Sequence, residues 1–138
     1  MLVTSFSFLA LCSSGFAALP SYSYDSLNRL TEAIHTDGTI TSYTYDSAGN
    51  RLSKTVTLAP PAITTNPQDQ TAVAGDSASF SVGATGSAPL TYRWKLNGTD
   101  IPDGVGPSYD LSDVTRTNAG NYTVVVSNSA GSITSEVA

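Results

Sequence analysis

The chain has 138 residues, of which 40% are hydrophobic and only 12% charged, and its formal net charge is −5. This length allows one domain, or one domain with a smaller appendage. The negative charge argues against nucleic acid as a partner, because the six basic residues form no run; they are Arg29, Arg51, Lys54, Arg93, Lys95 and Arg116.

Residues 1–18 have the pattern of a secretory signal peptide, with an apolar run at 6–11 and small residues at 15–18 as a cleavage site. The run is too short to span a membrane, which takes about 20 residues. No Lys or Arg precedes it, so a frayed N-terminal segment is the alternative. Cys12 is the only cysteine, which excludes an intrachain disulfide. Lipidation of Cys12 is a weaker alternative, because Leu11 is large where such sites have a small residue.

A short stretch of the sequence then repeats itself. Residues 22–30 read YSYDSLNRL and residues 43–52 read YTYDSAGNRL. Each unit predicts a strand, a turn and a second strand, and Asp37-Gly38 between the units predicts a hairpin. Tyr-x-Tyr places two rings on one face of a strand, the Asp can bond the turn backbone, and the Arg can lie beside the rings. The motif residues are Tyr22, Tyr24, Asp25, Arg29, Tyr43, Tyr45, Asp46 and Arg51.

These units resemble the YD (tyrosine–aspartate) repeats of Rhs proteins and related toxins over residues 20–57. In that family, long arrays form hollow β-shells around a toxic domain. Two units cannot form a shell, since repeats need about three or more neighbours to bury a core, so we expect a segment without its own activity. A fragment of a toxin-delivery protein is an alternative that requires many more units. His35 has no metal-ligand or nucleophile spacing around it, which predicts a surface strand histidine.

Residues 58–62 contain Pro60-Pro61 and predict a short, stiff linker. From residue 63 to 138, short strands and turn signals alternate at intervals of about 8–12 residues, as in a β-sandwich. The predicted strands are a split first strand at 63–65 and 70–73, then strands around residues 78–84, 92–96, 109–114, 122–127 and 133–137, the last of which looks clipped at 138.

This segment resembles the immunoglobulin fold of the intermediate-set type. The residues that carry the resemblance are Gly75-Asp76-Ser77, Trp94 with Asn97-Gly98, Leu111-x-x-Val114, and Asn118-x-Gly120-x-Tyr122-x-Val124. The resemblance implies a tyrosine corner at Tyr122 and places Val82 and Val124 where the family has its disulfide. Cys-free versions are familiar in bacterial surface proteins, so we expect a bacterial source. The predicted structural core is Phe80, Val82, Trp94, Leu111, Tyr122 and Val124.

The sequence therefore predicts an all-β fold, an immunoglobulin-like β-sandwich preceded by a short β-hairpin repeat segment. It offers no catalytic, cofactor-binding or metal-binding residue, because it lacks a nucleophile with a base and a phosphate-binding loop. A weak Ca²⁺ site is the alternative for three carboxylates whose spacing matches no standard loop; they are Asp100, Asp103 and Asp110.

We predict a non-catalytic structural or adhesive module of a secreted or cell-surface bacterial protein, with no cofactor and no transmembrane segment. Its predicted partners are other proteins or neighbouring domains of the same surface protein. The alternative is an accessory module of an extracellular enzyme, with glycans as the partner. Outward-facing aromatic residues would favour this alternative, and the only candidates are the tyrosines of the repeats.

Overall fold

The computed structural model describes residues 19–138, so the predicted signal peptide and Cys12 lie outside the described residues. The chain divides into two compact units, Met1–Ala59 and Pro60–Ala138. The all-β prediction is confirmed, since the regular structure of the described part is twelve strands and one 3₁₀ turn at Arg116–Asn118.

The first unit contains a four-stranded antiparallel sheet in the order β1-β2-β3-β4. Successive strands pair through short turns, so the chain forms a simple meander. The Tyr-x-Tyr sequences lie in β1 and β3. The strand bounds are β1 (Ser21–Tyr24), β2 (Leu30–Ile34), β3 (Ile40–Tyr45) and β4 (Arg51–Thr57).

The three turns of this sheet share one geometry. In each, the amide of the fourth residue donates to the carbonyl of the first, and the fourth residue has a positive φ. Gly and Asn tolerate that conformation, which explains why Asn28 and Gly49 each follow the Asp of their repeat by three residues. His35 was predicted to be a surface histidine within a strand; it is exposed, but it lies directly after β2 and opens the middle turn. The first and fourth residues are Asp25 with Asn28, His35 with Gly38, and Asp46 with Gly49.

The second unit is built from eight strands in three groups. A four-stranded sheet has the order β12-β11-β8-β9, and two pairs, β10-β6 and β5-β7, complete the unit. β6 and β7 are two halves of one extended segment, separated at Val82, whose amide donates to the Pro107 carbonyl at 3.0 Å. The bounds are β5 (Ala62–Thr65), β6 (Ala78–Ser81), β7 (Gly83–Thr85), β8 (Thr91–Leu96), β9 (Thr99–Asp100), β10 (Ser108–Leu111), β11 (Tyr122–Asn128) and β12 (Gly131–Thr134).

Strand β11 is the centre of the four-stranded sheet. Its residues pair with β8 on one side and with β12 on the other. Beyond β12 the pairing continues past Ser135, which bonds to Val124 through both its amide and its hydroxyl. Tyr122 and Ala138 then exchange two backbone hydrogen bonds of 2.8 and 3.0 Å. The chain from β12 to Ala138 therefore runs beside β11 along the whole length of β11.

The first predicted strand of this unit forms only in part. β5 starts at Ala62, inside the predicted linker, and ends at Thr65. Residues 70–73, predicted as its second half, do not form a strand and join none of the sheets of residues 19–138. The side chain of Asn66 instead accepts the Glu136 amide at 3.0 Å, at the edge where a strand would bond.

The core of the second unit surrounds Trp94, Val124 and Val126, none of which exposes any surface. Phe80, Val82 and Tyr122 are also buried, whereas Leu111 is half-buried against this cluster. The Trp94 Nε1–H donates to the Gly106 carbonyl at 2.9 Å, which satisfies the polar edge of the buried indole. The predicted core list omitted Val126, although its alternation with Tyr122 and Val124 places all three on one face.

The chain enters β11 through a tightly packed corner. The Tyr122 hydroxyl donates to the Asn118 carbonyl at 2.7 Å, and burial raises the pKa of Tyr122. Gly120 has a φ of +155°, and a Cβ on it would lie 2.5 Å from the side-chain nitrogen of Asn97. Asn97 cannot easily move away, because its Oδ1 accepts the Asn121 amide at 2.9 Å. Glycine is therefore required at position 120, both because φ is positive and because there is no room for a Cβ.

Candidate functional site

The first candidate functional residues are the aspartates of the two repeat turns, Asp25 and Asp46. Asp25 Oδ1 accepts the amides of Leu27 and Arg29, both at 2.9 Å. Asp46 similarly accepts the Asn50 amide at 2.7 Å. The backbone amide of Arg29 is the largest cause of a lowered pKa at Asp25, and the side chain of Asn50 is the largest cause at Asp46. These carboxylates are thus used to fix turns and are not free for catalysis.

Arg29 connects the two repeat units. Its Nε donates to Asp25 at 2.7 Å within the first unit. Its guanidinium lies 4.7 Å from the ring centre of Tyr45 in the second unit, and its Nη1 reaches the Asp46 carbonyl at 3.2 Å. In the opposite direction, the Tyr45 hydroxyl donates a hydrogen bond to the Leu30 carbonyl at 2.8 Å. One arginine therefore combines an ion pair, a cation–π contact and a backbone bond across the repeat boundary.

The two arginines of the motif are not structural counterparts. Each paired residue of the first unit lies 21 positions before its counterpart in the second. The counterpart of Arg29 is consequently Asn50, and Arg51 corresponds to Leu30. Aligning the units by their shared Asn-Arg-Leu letters is wrong by one residue, because Gly49 takes the positive-φ place of Asn28.

One face of the sheet carries all four repeat tyrosines. Tyr22 is 53% exposed and Tyr24 is 49% exposed, whereas Tyr43 and Tyr45 are half-buried. Lys54 pairs directly with Tyr43, and the guanidinium of Arg51 lies 5.6 Å from the centre of the same ring. Among residues 19–138, neither cation forms a salt bridge. We call this set the tyrosine face: Tyr22, Tyr24, Tyr43, Tyr45, Arg51 and Lys54.

The remaining candidate residues have separate partners. The His35 Nε2 lies 3.1 Å from the Thr41 hydroxyl. Asp100 forms a 2.9 Å salt bridge with Lys95, which lowers the pKa of Asp100, and Asp110 accepts a hydrogen bond from Ser79. The described part of the chain holds no group of three or more His, Cys, Asp or Glu side chains suited to a metal ion.

A groove in the second unit was not predicted from the sequence. It has a volume of about 770 Å³ and lies where the predicted strand at 70–73 is missing. Its lining includes residues 69–72, the last two residues Val137 and Ala138, and three core side chains, Phe80, Leu111 and Tyr122. The one feature of the sequence that relates to this groove is the predicted strand at residues 70–73, because a strand there would need a neighbouring strand to pair with.

The fold and these surfaces define an immunoglobulin-type module. Residues 60–128, half of the chain, match the family model described as immunoglobulin domain. The chain therefore belongs to the immunoglobulin domain family. Residues 24–59 match the family model described as RHS repeat, which confirms the resemblance of the first unit.

Individual proteins show similarity to parts of the chain. Over 56 residues it is 39% identical to the decoration protein of Escherichia phage T5, a match that covers 40% of this chain and 34% of that protein. The chain thus spans about a third of the length of this relative. Titin domain M7 is 31% identical with a TM-score of 0.52, and the match covers 57% of this chain and 90% of that domain.

The tandem immunoglobulin repeats of Dlar match with a TM-score of 0.55 at 14% identity, covering 91% of this chain and 74% of theirs. Identity this low supports the fold alone. No helix within residues 19–138 is long and apolar enough to cross a membrane.

Proposed function

We propose that the chain is a non-catalytic structural and adhesive module of a secreted or cell-surface bacterial protein, in which the sandwich serves as spacer and protein-contact surface. The observation that carries this proposal is the division of roles between interior and exterior. Every buried side-chain polar atom of the described residues has a hydrogen-bond partner, and the interior is filled by Trp94, Val124 and Val126. Function is therefore left to the outer strands, turns and groove.

The comparisons support this proposal in general terms. Immunoglobulin domains are built as sandwiches whose loops and edges are available for contacts. The name decoration protein, given to the phage relative, fits a module that acts by attachment. The predicted signal peptide at residues 1–18 and the expected absence of a disulfide would suit export from a bacterium.

Two experiments test the location and the attachment. An epitope tag placed after Ala138 in the full gene product is expected to be removed by protease added to intact cells, or to be found in the medium. A tag that becomes sensitive only after lysis contradicts the proposed location. Beads coated with the chain are expected to attach to intact bacterial cells, whereas beads coated with the Trp94→Asp variant, in which an unpaired charge at a fully buried position unfolds the sandwich, are expected not to attach. Equal attachment of both chains contradicts an adhesive role.

A second function is favoured by the tyrosine face, namely an accessory module that binds acidic polysaccharide. Exposed rings such as Tyr22 and Tyr24 offer flat surfaces for sugar rings, and the cations Arg51 and Lys54 complement uronic or sulfate groups. The rings and the cations lie on one face, so one polysaccharide chain can contact both.

Affinity electrophoresis in gels containing alginate or neutral dextran separates this function from the first. We expect alginate alone to retard the chain, and Tyr22→Ser with Tyr24→Ser to abolish the retardation. Thr44→Ala with Ser53→Ala is the matched control, because this hydroxyl pair lies on the opposite face of the same sheet. Unchanged mobility of the native chain in alginate rules this function out.

A further inference from the structure

A two-residue turn, Asn97-Gly98, closes the hairpin between β8 and β9 and lies on the surface. Both residues are exposed, and both have positive φ, +51° at Asn97 and +81° at Gly98. A Cβ built on Gly98 would meet no atom within 4 Å, so the turn is open on that side. Within residues 19–138, the amide of Gly98 donates no hydrogen bond. The turn therefore presents an accessible backbone nitrogen next to an asparagine side chain.

The side chain of Asn97 is held in place by Asn121. The Asn97 amide donates to the Asn121 carbonyl at 2.8 Å, and the Asn121 amide donates to the Asn97 Oδ1 at 2.9 Å. Asn97 thus continues the pairing of β8 with β11, with a side-chain oxygen in place of a backbone carbonyl. A donor on Oδ1 stabilises the negative charge that develops on this oxygen when a nucleophile attacks Cγ.

The turn lies at a weakly held edge of its sheet. β9 is the last strand in the order β12-β11-β8-β9, and its two residues are both exposed. The salt bridge between Asp100 and Lys95 is also partly exposed, and such pairs contribute little. Short, exposed elements open locally at small cost. Opening of β9 moves the Gly98 nitrogen, while the bonds to Asn121 hold the Asn97 side chain, so the nitrogen can approach Cγ.

We propose that Asn97 is a site of spontaneous, irreversible deamidation. The Gly98 nitrogen attacks Cγ of Asn97, the amide proton of Gly98 passes to the side-chain nitrogen, and ammonia leaves as a succinimide ring closes. Water then cleaves one of the two ring bonds to the Gly98 nitrogen. Cleavage at Cγ gives aspartate, and cleavage at the backbone carbonyl gives isoaspartate, in which the main chain runs through the former side chain. Either product adds one negative charge and about one dalton to the chain.

The sequence restricts this reaction to one position. Of the seven asparagines of the chain, only Asn97 precedes a glycine. A side chain on the following residue crowds the attacking nitrogen, and the proline after Asn66 has no N–H at all. Asn50 precedes Arg51 and Asn128 precedes Ser129, so these two asparagines serve as internal references.

The two products have different effects on the corner at which the chain enters β11. Aspartate keeps an oxygen in the place of Oδ1, so the bond from the Asn121 amide is retained. Isoaspartate lengthens the main chain by one carbon and moves the former side-chain carbonyl into it, so the turn and the bond to Asn121 cannot both persist. Gly120 lies directly against the Asn97 side chain and leaves no space for the displaced atoms. Isoaspartate therefore loosens β9 and the start of β11.

Peptide mapping by mass spectrometry tests the site. The full, folded chain is incubated at about pH 8 and 37 °C, and mass gain is followed at each asparagine. We expect Asn97 to gain about one dalton at least tenfold faster than Asn50 or Asn128, and electron-transfer fragmentation to find both aspartate and isoaspartate at position 97. A rate at Asn97 within tenfold of that at either reference overturns the proposal.

Two variants test the nucleophile. Gly98→Asp retains a residue type that adopts positive φ, and its Cβ enters open space, but the new side chain crowds the nitrogen. Deamidation of Asn97 should become at least tenfold slower, with an unchanged circular dichroism spectrum. Asn97→Asp is the matched control and should gain no mass at position 97. If Gly98→Asp deamidates at the native rate, the nitrogen of residue 98 is not the nucleophile and the proposal fails.

Hydrogen exchange tests the structural consequence. The isoaspartyl form of the incubated chain is separated from the unmodified form by anion exchange, which detects its added charge. Exchange in β9 and at residues 118–122 should be at least tenfold faster in the isoaspartyl form than in the fresh chain, whereas fresh Asn97→Asp should match the fresh chain. Equal exchange in the isoaspartyl and fresh chains overturns the loosening of the corner.

Discussion

Replacing Trp94 by alanine should remove most of the stability of the sandwich. The indole is fully buried, its ring centre lies 6.1 Å from that of Phe80 and 6.3 Å from that of Tyr109, and its N–H is bonded to Gly106. Truncating such a residue costs about 3–5 kcal/mol through lost burial and the cavity left behind. A unit of the size of residues 60–138 has a total stability of about 4–12 kcal/mol.

Trp94→Phe separates the two parts of this cost. Phenylalanine keeps most of the buried ring but leaves the Gly106 carbonyl without its donor, which should cost about 1–3 kcal/mol. Arg93→Ala is the matched control, since Arg93 is the exposed neighbour on the same strand and its removal should change stability by no more than about 0.5 kcal/mol.

Urea denaturation measures these differences. Trp94 is the only tryptophan of the chain, so far-ultraviolet circular dichroism replaces tryptophan fluorescence as the signal. Hydrogen exchange of peptides from β11 assigns the transition to the second unit. The order of midpoints should be native and Arg93→Ala highest, then Trp94→Phe, then Trp94→Ala. A midpoint of Trp94→Ala close to that of Arg93→Ala would refute the assignment of Trp94 to the core.

Three further predictions concern single residues. Gly120→Ala should cost about 1–3 kcal/mol, because the new Cβ meets Asn97 and φ stays positive; an unchanged urea midpoint contradicts this. Arg29→Lys should speed hydrogen exchange in β3, since lysine lacks the planar fork that reaches both repeats, whereas Arg51→Lys should leave β3 exchange unchanged. The pKa of Asp25 is lowered on folding, chiefly by the amide of Arg29. Its stabilising effect is present above the unfolded pKa of about 3.9 and is lost as the pH falls through the folded pKa. Exchange in the first sheet should therefore accelerate below about pH 4, and Asp25→Asn should flatten that dependence; identical pH profiles contradict it.

The sequence was sufficient to predict the all-β fold, because alternation and turn residues are local signals. Strand β11 shows this, since Tyr122, Val124 and Val126 alternate and their burial follows from the period of two. Asn97-Gly98 is a residue pair typical of hairpin turns, and it lies between β8 and β9, where both residues have positive φ.

Features that depend on pairing could not be read in the same way. Residues 70–73 have a strand pattern but need a neighbour, and which segment lies beside them is a non-local property. The equivalence of Arg29 and Asn50 was also hidden, because matching letters favoured a different alignment from the one that the turn geometry sets. The groove lies beside residues 70–73, so it could not be predicted for the same reason.

The constant spacing of 21 residues between paired positions of the two repeats also has a consequence for the gene. A crossover between the two copies removes or duplicates a whole unit in frame, and every remaining side chain keeps its face of the sheet. A deletion of a single residue within a strand would instead turn the side chains that follow it in that strand to the opposite face. Lengthening by this route meets no geometric obstacle, whereas shortening leaves a single hairpin, which is marginally stable in water. The number of units can thus change in descendants of this gene without a new fold having to arise.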